Sequence, residues 1–285
     1  MPRFTPIPVA ALIGMTLALA SRADDRDSKV RDFWAFQSPK KVTPPEVKNA
    51  DWPRGAIDRF ILARLEAAGL DTAKDAERET LIRRIYFDLI GLPPAIQQID
   101  EFMNDKSPDA VAKVVDQLLD SPHFGERWGR HWLDVARYAD STGGGRSLLL
   151  PNAWRYRDYV IDSFNRDKPF DRFIREQVAG DHLPFDNDEQ RAEQLVATAF
   201  LMIGAHNYEL QDKEQLRMDV VDEQIEAIGR AFLAQTLGCA RCHDHKFDPI
   251  PTKDYYALAG IFRSTKSLTP GNVSGFEQHE LPVSP

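Results

Sequence analysis

Residues 121–135 read SPHFGERWGRHWLDV, and their spacing settles the fold class. Phe124, Trp128, Trp132 and Val135 recur at three- and four-residue intervals, so they line one side of a helix. Ser121 followed by Pro122 is a start signal, a capping hydroxyl before a ring that fits the first helical turn. The same period extends outward in both directions. Ile57, Phe60, Ile61 and Leu65 form a stripe ended by Gly69, and Leu81, Ile82, Ile85, Tyr86 and Leu89 form the next, stopped at Gly91–Pro94. Ile96, Ile99 and Phe102 predict a short helix, and Ser107-Pro108 predicts the start of one through Leu119.

After the Gly143–Gly145 loop, helices are predicted around Trp154–Phe164 and Phe170–Val178. A buried helix is expected over Leu195–Ile203, the longest helix over Lys213–Leu237, and the last over Asp254–Phe262. Residues 24–52 read as a Pro-rich extended arm whose aromatics, Phe33, Trp34 and Phe36, are expected to dock on the domain. The tail 267–285 is expected to be irregular. With no alternating pattern and no repeat, the expected fold is all-α: one multi-helix domain over 53–266.

Both cysteines of the chain, Cys239 and Cys242, fall in TLGCARCHDHKFDPIP, where they form C-x-x-C-H with His243. Two thiols three residues apart on one turn can add to the two vinyl groups of one porphyrin, and the imidazole that follows can ligate the iron. The expected cofactor is therefore covalent haem c, with His243 as proximal ligand. Two other chemistries use such a pair. One is a disulfide; the other is zinc on Cys239, Cys242 and His245, with His243 or a distant residue as fourth ligand. The disulfide motif usually accompanies a βαβ pattern, and a closed zinc site usually draws on two separated ligand pairs; neither is visible here.

In the small cytochrome c fold the motif lies near the start and an axial Met follows it. Here the motif lies near the end and the last methionine, Met218, precedes it, so that fold is not expected. A sixth ligand would come from upstream, with His206 and Met218 ranked ahead of Met202 and His131. An open sixth position favours peroxide chemistry, whereas Met or His there favours electron transfer. Arg241 and Lys246 are candidate partners of haem propionates, the alternative being a solvated turn.

Composition is that of an ordinary globular chain, 42% hydrophobic and 28% charged over 285 residues, with mean hydropathy −0.43. A net charge of −8 excludes the basic balance that nucleic acid or an anionic membrane surface would ask for. Residues 1–23 begin with Arg3, continue through an apolar run from Ile7 to Ala20 and end in small residues, the pattern of a secretory signal peptide. Export to the periplasm or beyond is expected, without stable membrane insertion after cleavage.

The segments WPRGAIDRFILARLEAAGL, LIRRIYFDLIGLPP, SPHFGERWGRHWLDVARYADS, WRYRDYVIDSFNRDKPFDRFIREQVAGD and GCARCHDHKFDPIPTKDYYALAGIF resemble the planctomycete cytochrome-c-associated domain of unknown function, family 1549, also called the planctomycete cytochrome C type 2 domain. The resemblance runs from about Phe33 to Ser267 and implies haem attachment at Cys239, Cys242 and His243. It implies no established biochemical role. Relatives usually continue into a second domain, so a chain that stops soon after the motif is expected to be a short member or a truncated frame. Three functions follow as expectations. The first is an exported c-type cytochrome domain passing electrons to an unknown redox partner. The second is a five-coordinate haem enzyme of peroxidase type, and the third a zinc- or disulfide-stabilised scaffold linked to exported polysaccharide processing.

Overall fold

The structure, a computed structural model, describes residues 33–145 and 147–282. The predicted signal peptide and the start of the arm lie outside the described residues. The described residues form two compact units, one of residues 33–76 with Phe247–Pro249, the other of Glu77–Lys246 with residues 250–282.

In the first unit a 3-10 turn at Trp34–Phe36 leads through extended chain to α1 (Ala56–Ala67). Asp58 accepts the amides of Arg54 and Gly55 at 2.8 and 3.0 Å, which satisfies donors that precede the first turn. Glu66 accepts the amides of Lys48 and Asn49, each at 3.0 Å, and these bonds hold its carboxyl below the usual range. Phe33 packs on Trp34 and Phe36 with ring centres about 6 Å apart, and Trp34 remains 78% exposed.

The second unit is helical almost throughout: α2 (Arg78–Leu89), α3 (Ile96–Asn104), α4 (Ala110–Leu119), α5 (Pro122–Val135), α6 (Ala153–Asn165), α7 (Phe170–Ala179), α8 (Asp188–Ala197), α9 (Lys213–Ile228) and α10 (Thr252–Arg263). The all-α expectation holds in this coarse form. Ile82 and Tyr86 of α2 meet Phe102, Ala110 and Leu118 in a small apolar cluster. Arg78 spans it, lying over the Phe102 ring at 4.1 Å and donating to the carbonyl of Asp105 at 2.8 Å.

The largest cluster surrounds Trp132. Helices α5 and α6 come together closely because Gly125 has no side chain; a Cβ there would stand 2.4 Å from the carbonyl oxygen of Ile161. The Trp132 indole donates to the Tyr156 hydroxyl at 3.0 Å and to Gln177 Oε1 at 2.9 Å, so its buried polar atom is satisfied. Beside it runs an ionic network. Glu176 of α7 is wholly buried and accepts from Lys168 at 2.6 Å, Arg172 at 2.8 Å and Tyr159 of α6 at 2.8 Å. Lys168 also reaches Glu193 of α8 at 3.3 Å, so the charges together with the Tyr159 hydroxyl join three helices.

Four boundaries differ from the sequence reading. Ser107-Pro108 forms a turn in which Asp105 accepts the amide and hydroxyl of Ser107 at 2.8 and 2.5 Å, and α4 begins two residues later at Ala110. The buried helix expected over Leu195–Ile203 is the end of α8 tightening into a 3-10 turn at Thr198–Leu201; its start, capped by Asn187, is polar. Helix α9 stops at Ile228, where a π turn over Gly229–Leu233 and left-handed Ala234 reverse the chain. The tail is not wholly irregular: β1 (Leu268–Thr269) pairs antiparallel with β2 (Gly275–Phe276), Leu268 opposite Phe276 and Thr269 opposite Gly275. Strands of two residues are too short to show alternation in sequence.

Candidate functional site

The C-x-x-C-H residues sit on a 3-10 turn, Gly238–Arg241, and the residues just after it. Its inner side is apolar: Ala240 is fully buried with Val221 and Ile225 of α9 and Tyr255 and Ala259 of α10. Cys239 and Cys242 are free thiols exposed to solvent, and His243 is exposed beside them.

Three polar groups fix the turn from below. The amide of Gly238 donates to Glu226 Oε1 at 3.0 Å. Arg241 pairs with Asp222 at 3.3 Å, and the Tyr255 hydroxyl donates to the same carboxylate at 2.5 Å. Burial and the Asp222 bond push the Tyr255 phenol up, so it stays a donor at all ordinary pH. The Tyr256 hydroxyl closes the set by donating to the carbonyl of Arg241 at 3.0 Å. Beyond the motif the Asp244 side chain accepts the amide of Thr252, first residue of α10, at 2.8 Å.

The His243 ring is oriented by one bond. Its Nδ1 lies 2.8 Å from the carbonyl oxygen of Asp244, which can only accept, so Nδ1 carries the proton. The neutral ring therefore holds its free lone pair at Nε2, the tautomer suited to ligate a metal. Two exposed thiols on one turn and an imidazole with Nε2 free match the donor set that covalent haem requires. His245, the other histidine of a zinc set, is buried to 7% exposure while both cysteines face solvent. Among the described residues no three His, Cys, Asp or Glu side chains converge as a metal cage.

Of the propionate candidates, Arg241 turns to Asp222, and Lys246 is exposed. The sixth-ligand candidates are dispersed. His131 lies exposed on α5, its ring 5.6 Å from that of Trp128, and Met218 is half-buried on α9. Met202 accepts from the Gln224 amide at 3.5 Å. His206 is buried to 5% exposure against Tyr208, with no bond to Nε2 among the described residues. Burial and the nearby Arg137 lower its pKa from 6.5 to about 4.

The His206 shift has a measurable consequence. A histidine whose pKa falls on folding binds its proton more readily when unfolded. Its contribution is present above pH 6.5 and is lost as pH drops from 6.5 toward 4, by about 3 kcal/mol over that window. Urea titrations at pH 7 and pH 4.5 are expected to show a smaller pH dependence in His206→Gln than in the parent chain. Equal pH dependence in the two would contradict the assignment.

Asp222, Glu226, Tyr255 and Tyr256 were not singled out from sequence. A usable signal existed: Asp222 and Glu226 stand at i and i+4 on the helix that delivers the motif, so they share one face.

Fold and site together define a class: a helix-rich domain that presents an exposed C-x-x-C-H turn near its C-terminal end. A family model, PSCyt2, described as a protein of unknown function (DUF1549), matches residues 56–267, and the chain belongs to that family. No curated protein and no solved structure matches it. Among the described residues no helix is long and apolar enough to cross a membrane.

Proposed function

We propose that this chain is an exported c-type cytochrome domain that binds one haem covalently and passes electrons to a redox partner. The observation that carries the reading is the His243 ring, locked through Nδ1 with Nε2 free, next to two exposed thiols on one turn. Cys239 and Cys242 would each add S–H across a vinyl group, the sulfur bonding one carbon and the hydrogen going to the other, with no oxidant consumed. Haem iron supplies a one-electron couple when bound. The chain's own part would be to hold the turn that carries the thiols, which the Asp222, Glu226 and Tyr255 bonds support, and to orient the ligand ring through the Asp244 carbonyl. The family name and the signal-like residues 1–23 support the same reading.

A haem stain on a denaturing gel tests it, after expression with a c-type maturation system. The expected result is a stained band for the parent chain that weakens or vanishes in Cys242→Ala. No band from the parent, alongside a stained positive control, overturns the proposal.

A further inference from the structure

Away from the motif, a cavity of about 330 Å³ opens between the first half of α9, the end of α10 and β1. Lys213, Leu216, Arg217 and Val220, all of α9, line it together with Phe262. The positions 213, 216, 217 and 220 form one helical face, so the cavity has an apolar floor and a cationic edge on the same element.

The edge charges differ in how they are held. Arg263 pairs with Glu214 at 3.0 Å, and Lys266 with Glu277 at 2.9 Å. Lys213 and Arg217 meet no carboxylate among the described residues. Lys213 donates to the carbonyl of Asn272 at 3.0 Å and Arg217 to that of Arg263 at 2.5 Å. Their arrangement is unfavourable to the fold by itself. Like charges at i and i+4 repel, and Lys213 stands in the first turn, where the helix dipole disfavours a cation. Two cations with no carboxylate partner among the described residues therefore stand beside the hollow, placed to receive an anion.

We infer that this cavity binds a small amphipathic anion, a carboxylate or phosphate monoester whose head meets Lys213 and Arg217 and whose apolar body lies against Leu268 and Pro270, above the buried Leu216, Val220 and Phe262. The Arg217 guanidinium can fork onto either head group, while Lys213 contributes a point charge.

Calorimetric titration of the full chain at low salt tests this with four probes: octanoate, octyl phosphate, 1-octanol and inorganic phosphate. Saturable binding of octanoate or octyl phosphate is expected, and the tighter of the two identifies the head group. Lys213→Met and Arg217→Met are each expected to weaken it about tenfold, the worth of one bond to a charged group. Both changes remove repulsion and keep a good helix former, but each gives up one bond to the Asn272 or Arg263 carbonyl, so the weakening counts only in a variant whose melting temperature matches that of the parent. Binding of 1-octanol as tight as that of the anions would show the cations idle, and equally tight inorganic phosphate would show the cavity idle. Either result, unchanged affinity in both variants, or no saturable binding of either anion overturns the proposal.

Discussion

Glu176→Ala is expected to cost about 3–5 kcal/mol of stability, the usual result of removing one partner from a buried ion network. Lys168, whose side chain is only 7% exposed, would keep Glu193 at 3.3 Å and lose the 2.6 Å bond to Glu176. Arg172 and the buried Tyr159 hydroxyl would lose their acceptor in the same step. For a unit of this size the melting temperature should fall by roughly 10 °C. A fall of less than about 2 °C would show that the network contributes nothing net. The sign with pH follows from the same contacts. Burial acts to raise the Glu176 pKa, but the bonds from Lys168, Arg172 and Tyr159 outweigh it and hold the carboxyl below 4.5. The contribution is therefore complete above pH 4.5 and is lost only as pH falls through that depressed value.

Phe200→Ala should be comparably damaging, at about 3–5 kcal/mol, through a different cause. Phe200 is fully buried, with the Trp132 ring at 6.1 Å, the Phe232 ring at 5.3 Å and the Arg137 guanidinium at 5.7 Å. Truncation opens a hollow bounded by rigid rings that cannot collapse into it. Urea unfolding should show a lower midpoint with an unchanged slope, whereas a changed slope would mean a loosened native state. Phe200→Leu, nearer in volume, should cost less than about 1.5 kcal/mol.

The helical stripes of the second unit were legible because they bury one face on their neighbours: Ile82 and Tyr86 fall to a few per cent exposure where the 3.6 period puts them. The stripe read over Ile57, Phe60 and Ile61 stays exposed, and its helix buries Leu62 instead. Where sequence reading failed, polarity misled it. The first half of α8, Asp188 to Arg191, carries no apolar stripe, yet Asn187 accepts the amide of Gln190 at 2.9 Å and starts the helix. Glu176 reads as a surface acid, because nothing local shows that Lys168 and Tyr159 will surround it. At the candidate site the cysteine spacing was plain. The acids beneath it were hidden among the other charges of α9, since a carboxylate bonded to a loop looks in sequence like one bonded to water.

The supports of the C-x-x-C-H turn are drawn from a short span of chain. Gly238 bonds a residue 12 positions away, Tyr256 one 15 away, Arg241 one 19 away and Tyr255 one 33 away. The indole of Trp132, by contrast, bonds Gln177 across 45 positions. Short separations mean low contact order and a small entropy of loop closure. Closing α9, the motif turn and α10 on one another therefore carries a smaller loop-closure entropy than the 45-residue bond from Trp132 to Gln177.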